Sequence, residues 1–177
     1  MRLGVFAATI VAFAVVFSAC GSKVAVEEGA KYVILSKSGT TCLDVPGGSQ
    51  AAGTGIVLWS VHSLSNSYPN QNWMFRQAES SDEYKIVSAN SELHLDVSGG
   101  SDANGIPIVQ WPDNGPAAAN QTWIFEKSGE YVKIRSKQSG KYMSTADGSH
   151  NAGIGIVQNE AVPEMAESQL WILKKIQ

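Results

Sequence analysis

The chain has 177 residues, a formal charge of -3 at neutral pH and a pI near 5.6, with 44% hydrophobic and 16% charged side chains. Those values suit about one globular domain with enough apolar material for a core, and they exclude a disordered polyelectrolyte. The 13 Lys and Arg are scattered along the sequence, so no basic face is offered to a phosphate backbone and nucleic acid is excluded as a partner.

The chain opens with "MRLGVFAATIVAFAVVFSAC": one arginine, an apolar run from Leu3 to Phe17, the small residues Ser18 and Ala19, then Cys20. This is the layout of a secretory signal, and the run is short of the roughly 20 residues a membrane span needs. "FSAC" resembles the bacterial lipobox, with Phe17 where that motif usually has leucine. The resemblance implies a signal peptide over 1–19, lipid on Cys20, and an exported, membrane-anchored lipoprotein on the periplasmic or cell-surface side. A plain cleaved signal or an uncleaved anchor are the other readings. Residues 20–31 then read as a tether and 32–177 as the folded domain. Cys20 and Cys42 could form a disulfide in an exported protein, but not if Cys20 carries lipid. The places equivalent to Cys42 in later copies hold His94 and Tyr142, which favours a packed role for the thiol over a reactive one.

From residue 32 onward the sequence repeats itself. A shift of 52 places residues 32–59 on 84–111, and a further 48 places those on 132–159. Ile34, Ile86 and Ile134 coincide, as do Gly48, Gly100 and Gly148, Gly53, Gly105 and Gly153, and Ile56, Ile108 and Ile156. The copies run over 32–80, 84–130 and 131–177. Each closes on a related phrase, "NQNWMF", "NQTWIF" or "SQLWIL", and the first carries two extra residues within "SVHSLSNSYPN", the mark of a surface loop. Short runs such as "YVILS", "YKIVS" and "VKIRS" are rich in β-branched and aromatic residues and are followed by Gly-rich turns, which predicts strands with one face buried and one wet. No helical period is sustained.

Three copies are too few for a propeller, which closes with about 4 to 8 blades. With Gln71-Asn72-Trp73, Gln121-Thr122-Trp123 and Gln169-Leu170-Trp171 at matching places, and "LDVPGGS" and "LDVSGGS" upstream, the chain resembles the ricin-type lectins. The resemblance covers the whole of residues 32–177. It implies an all-β fold, a β-trefoil in which three pseudo-symmetric repeats close one barrel. Trp73, Trp123 and Trp171 read as structural wedges into a shared core, each with its indole N–H satisfied by a neighbour. Gln71, Gln121 and Gln169 read as ties to loop backbone, with an amide able to reach a ligand as well.

The copies differ at three places together. Asp44 and Asp96 give way to Ser144, Trp59 and Trp111 to Asn159, and Asn70 and Asn120 to Ser168, while the scaffold residues persist. Joint loss in one copy suggests a joint task. A carboxylate accepts hydroxyl hydrogen bonds strongly, an aromatic ring covers the C–H face of a sugar, and an amide both donates and accepts. The resemblance implies glycan sites at Asp44, Trp59, Asn70 and Gln71, and at Asp96, Trp111, Asn120 and Gln121. An aspartate before a Gly-Gly turn serves equally well in an Asx-turn, and both roles stay open. Trp59 and Trp111 are either core or exposed platform. The platform is favoured because burying Asn159 unpaired at the same place would cost about 1 to 3 kcal/mol. A glutamine often found in ricin-type lectins two residues before the aromatic is here Val57 and Val109.

No Gly-x-Ser-x-Gly or His-Glu-x-x-His motif is present, and His62, His94 and His150 fall at unrelated places in their copies. No catalytic residue, metal or cofactor is therefore expected, and a binding module is read in preference to an enzyme. A protease inhibitor or protein-interaction lipoprotein acting through residues 60–70 is the alternative, and an envelope protein with vestigial sites the blandest.

Overall fold

The computed structural model describes residues 23–161 and 163–176; the signal segment 1–19 and the lipidation residue Cys20 lie outside the described residues. The first copy runs through β1 (Lys31–Ser36), β2 (Thr41–Asp44), β3 (Val57–Ser60) and β4 (Trp73–Gln77). The second runs through β5 (Glu83–Ser88), β6 (His94–Val97), β7 (Ile106–Trp111) and β8 (Trp123–Ser128), and the third through β9 (Tyr131–Ser136), β10 (Tyr142–Thr145), β11 (Ile156–Asn159) and β12 (Trp171–Lys175). Among the described residues there is no α-helix, and the regular structure is these strands and short 3-10 turns.

Six strands close a ring. β1 pairs with β4 and β12, β4 with β5, β5 with β8, β8 with β9, and β9 with β12, all antiparallel. Closure leaves these six without an open edge. The other six form the hairpins β2–β3, β6–β7 and β10–β11. The hairpins touch one another cyclically, through Val157 opposite Pro107, Gly55 opposite Val109 and Val57 opposite Gly155. This is the β-trefoil that the three copies and their Gln-x-Trp endings imply.

The three tryptophans of the repeated ending are wholly buried. Each indole N–H donates to a carbonyl of its own copy's hairpin: Trp73 to Leu43 (3.3 Å), Trp123 to Leu95 (3.1 Å) and Trp171 to Met143 (3.2 Å). Such a bond removes the penalty of burying the indole's one polar atom. Between them Phe75 and Phe125 meet edge to face at 5.1 Å, flanked by Tyr32 and Tyr84.

Three features depart from the sequence expectations or are absent from them. β5 is buried along its whole length, because its outward-facing Lys85 is covered by the loop before Gln121 and donates to the carbonyls of Ala118 (2.9 Å) and Gly115 (3.3 Å). Second, the tether expected over 20–31 is, from Val24 on, part of the domain. Val24, Val26 and Ala30 pack on the core, the Glu27 N–H donates to Tyr32 Oη (2.8 Å) and the Gly29 N–H to Phe75 O (3.2 Å). These contacts lie at the end of the ring away from the hairpins. Third, Gln110 and Gln158 are buried at the place where the first copy has Leu58. Gln110 Nε2 donates to the carbonyls of Ser49 and Ala51 in the copy before it, and Gln158 Nε2 to those of Ser101 and Ala103. Each amide oxygen accepts a serine hydroxyl, from Ser91 or Ser139, at 2.7 Å. These staples join successive copies.

Cys42 is buried and makes no disulfide. Burial, helped by the neighbouring Asp44, pushes its thiol up to about 12, so the thiolate needed for reactivity is absent at neutral pH.

The buried and the exposed tryptophans should respond unequally to truncation. Trp123→Ala empties a closed core site and is expected to cost about 3 to 5 kcal/mol in denaturant unfolding. Trp111→Ala, on the exposed side of β7, should cost less than about 1 kcal/mol.

Candidate functional site

At the end of β2 the chain passes from Asp44 into Pro46-Gly47-Gly48, and at the end of β6 from Asp96 into Ser98-Gly99-Gly100. Both glycines of each turn are left-handed, with φ of 62° and 64° in the first copy and 64° and 60° in the second, a pair of conformations that other residues adopt only with strain. The turn leaves an open depression beside the aspartate. In the third copy Asp147 replaces the first glycine and only Gly148 keeps the positive φ.

The depression of the first copy has a volume of about 420 Å³ and is lined by Asp44, Gly47, Val57, Trp59, His62 and Asn70. That of the second copy is of the same size and is lined by Asp96, Gly99, Val109, Trp111, Asn114 and Asn120, with Gln138 reaching in from the third copy. The structure therefore gathers the sequence-predicted Asp, Trp and Asn of each copy into one cavity. Trp59 and Trp111 are 44% and 42% exposed, whereas Asp44 and Asp96 are each only 3% exposed. Val57 and Val109, where the ricin pattern often has glutamine, form apolar wall.

Each tryptophan leans on a glycine of another copy. A Cβ at Gly53 would sit 3.4 Å from the ring of Trp111, and one at Gly153 would sit 3.8 Å from that of Trp59. The side of each pocket is thus completed by the loop of a neighbouring repeat. The loops of Gly53 and Gly153 serve this contact, whereas Gly105 meets Asn159 instead of a ring.

The carboxylates are not held as Asx-turns. In the first site Asp44 Oδ2 accepts from Asn70 Nδ2 (3.0 Å) and Gln71 Nε2 (2.8 Å); in the second, Asp96 Oδ2 accepts from Asn120 Nδ2 (2.9 Å) and Gln121 Nε2 (2.8 Å). In each site both amides converge on one oxygen, so the other oxygen is left for an incoming donor. Burial pushes both carboxyls above the usual carboxylate range, against the opposing pull of the glutamine and asparagine N–H groups.

Gln71 and Gln121 need reassignment. Both are wholly buried, and the second Nε2 hydrogen of each goes to a carbonyl, Ser60 O (3.0 Å) or Pro112 O (2.8 Å). Their Oε1 atoms accept the backbone N–H of His62 (3.1 Å) and Asn114 (3.0 Å). With both donors spent and no exposed surface, they position the aspartate and do not reach a ligand. Gln169 is likewise buried and donates to Glu160 O at 2.8 Å.

The third copy lacks such a cradle. Ser144 and Ser168 share a hydroxyl hydrogen bond at 3.0 Å, and Asn159 Oδ1 accepts the Gly105 N–H at 3.0 Å. The polar groups there are turned on one another. Sequence reasoning missed the pocket residues His62, Asn114 and Gln138; the offset of 52 that pairs His62 with Asn114 was the signal available for the first two.

The arrangement can hold a neutral polyol against an aromatic face. Comparison with known proteins places the fold in a family. A family model described as ricin-type beta-trefoil lectin domain-like matches residues 22–111, 69–159 and 119–177. A designed protein of threefold symmetry, ThreeFoil, is 24% identical with a TM-score of 0.74, the match covering 82% of this chain and 99% of that one. An exo-β-1,3-galactanase from Clostridium thermocellum is 28% identical with a TM-score of 0.75, over 86% of this chain and 31% of the enzyme. A ricin B-like lectin of Macrolepiota procera, solved with lactose, is 18% identical with a TM-score of 0.68, over 86% of this chain and 99% of that one. None of the curated proteins compared matches the chain. Three overlapping family matches that together span the folded domain make this chain a member of the ricin-type β-trefoil lectin domain-like family.

Proposed function

We propose that the protein is a glycan-binding module with two sites, one in each of the first two copies, and that it acts by binding and not by catalysis. The observation that carries the reading is the pairing, twice over, of an exposed indole with a nearly buried aspartate whose one oxygen is tied down by two amides. A hydroxyl donating to the second oxygen makes a charge-assisted bond, and the indole covers the C–H face of the ring. Galactose-type sugars suit the pair, since their one axial hydroxyl leaves the opposite face a continuous C–H patch. The 28% identity to part of an exo-β-1,3-galactanase points the same way.

The amino-terminal segment supports a lipoprotein displayed at a bacterial envelope, with lipid on Cys20. Because residues 24–30 dock at the end of the ring away from the hairpins, an anchor just before them would direct both pockets away from the membrane. Weak single sites then gain from multiplicity, as two pockets on one rigid body and many bodies on one surface bind together.

A glycan array probed with residues 21–177 is expected to light up galactose-terminated glycans. Asp44→Ala combined with Asp96→Ala should weaken retention on galactose-coated beads at least about 10-fold, the worth of a charged hydrogen bond, and Trp59→Ala with Trp111→Ala should do the same without touching the buried amides. Undiminished retention by both folded double variants overturns the assignment, and a response of a protease panel to changes in residues 60–70 would favour the inhibitor reading.

Acid should weaken binding before it unfolds the domain. Protonation of Asp96 removes the charged acceptor, and since burial raises its pKa, the loss is expected to begin above the ordinary aspartate value of about 3.9. The sign for stability is opposite: a raised folded-state pKa means that the ionised carboxylate costs stability, a cost relieved as pH falls through it. Titrating galactose into Trp59→Ala, which keeps only the site without a lining imidazole, checks this.

The anchor has a separate check. Cys20→Ser is expected to move the protein from the membrane fraction to the soluble one, and its persistence in membranes would argue for an uncleaved segment.

A further inference from the structure

The two pockets are not equivalent at one lining position. His62 and Asn114 occupy the same place: each donates its backbone N–H to the Oε1 of its site's buried glutamine, and each lines its cavity. The first copy therefore presents an imidazole where the second presents an amide. Directly after His62 comes the segment containing the two extra residues of the first copy, and it delivers Tyr68, whose counterpart in the second copy is Ala118. The phenol stacks on the imidazole with ring centroids 4.7 Å apart and planes 23° from parallel, yet Tyr68 stays 40% exposed.

This stack is built into the loop. The Gln71 N–H donates to Tyr68 O (3.0 Å), Asn72 Nδ2 to Ser65 O (3.2 Å), and Ser63, Ser65 and Ser67 are linked hydroxyl to hydroxyl at 2.9 and 3.0 Å. Such lacing holds the rings in place before any ligand arrives, which lowers the ordering cost of binding. In the second site Asn114 stands in place of the imidazole, and the lining also includes Gln138, whose Nε2 bonds the Gly100 carbonyl and Asp102 Oδ1. Asn90, which answers to Gln138, points its amide at Gly48 O (2.8 Å) and does not line the first cavity.

We propose that the first site is a two-sugar site: the Trp59 and Asp44 pocket takes the terminal galactose-type residue, and the His62–Tyr68 stack takes the next residue of the same chain. The second site takes one sugar. The inference rests on the glycan reading above and deepens it, since it makes one module read chain length at one pocket and terminal identity at the other. The chemistry is the same at both subsites of the first copy, a flat aromatic surface against the C–H face of a pyranose.

The test uses single-site proteins titrated calorimetrically with galactose, lactose and β-1,3-galactobiose. Trp111→Ala leaves the first site and Trp59→Ala the second. In the Trp111→Ala protein, at least one disaccharide is expected to bind about 2- to 10-fold more tightly than galactose, the gain of one added aromatic contact. Adding Tyr68→Ala, a residue outside the lining of the first cavity, should erase that gain while galactose affinity stays within about twofold. The Trp59→Ala protein should show no gain. Equal affinity for galactose and both disaccharides in the Trp111→Ala protein, or a gain that survives Tyr68→Ala, overturns the two-sugar site and leaves the glycan reading intact. Absence of binding by either folded single-site protein to all three sugars overturns the galactoside reading and this inference together.

Discussion

The clamp that the Gln-x-Trp ending closes on the hairpin holds both scaffold and site. In the first copy Trp73 takes the carbonyl of Leu43 while Gln71, two residues earlier, takes the carboxylate of Asp44. In the second copy Trp123 and Gln121 take Leu95 and Asp96 in the same way. One three-residue phrase thus grips two adjacent residues of β2 or β6, anchoring the core with the indole and aiming the acid with the amide. The two halves of the grip are separable. In the third copy Trp171 still holds Met143, and Gln169 is still buried, but the acid has become Ser144, whose hydroxyl bonds Ser168. Core demands keep the tryptophan everywhere, and site demands apply only where the aspartate survives.

Symmetry of the fold also explains why a pocket cannot be assigned to one repeat alone. Trp59 lies against Gly153 of the third copy, Trp111 against Gly53 of the first, and Gln138 of the third copy enters the second pocket. Because the hairpins touch cyclically, every site borrows a wall from another copy. The Gln110 staple runs between the two copies that the Trp111–Gly53 contact joins, and the Gln158 staple between the two that Gln138 and the second pocket join. The third position uses its cyclic contact differently: Asn159 hydrogen-bonds the Gly105 backbone, so a place occupied by an exposed ring in the other copies becomes a further staple.

The fold was legible in the amino-acid sequence because repetition is a linear property. Recurrence of Ile34, Ile86 and Ile134 at steps of 52 and 48, and of the three Gln-x-Trp phrases at steps of 50 and 48, reports three similar units that must bury their apolar faces on one another. The joint disappearance of acid, ring and amide from the third copy was also linear, and it led to the residues that the structure gathers into two cavities. The buried roles were harder to read. Gln71 and Gln121 looked able to reach a ligand because an amide in a motif carries no mark of its exposure; only packing shows that all of their donors are spent inside. Gln110 and Gln158 carried a faint signal, a polar residue aligned with Leu58, but its meaning depends on carbonyls about 60 residues away in another copy. Val24 and Val26 read as part of a tether because they belong to no repeat, although the open end of the ring gives them a surface to cover.

What the sequence by itself determined is the number of repeats, their strand-rich texture and the residue types at each recurring place, with the closed barrel implied by the family resemblance those residues carry. The tertiary structure alone decided which repeat completes whose pocket, which oxygen of each aspartate takes both amides, and that a two-residue extension sets Tyr68 on His62. The reason is physical: periodicity and composition are carried along the chain, whereas exposure and hydrogen-bond satisfaction are settled by groups that meet only when distant copies pack together.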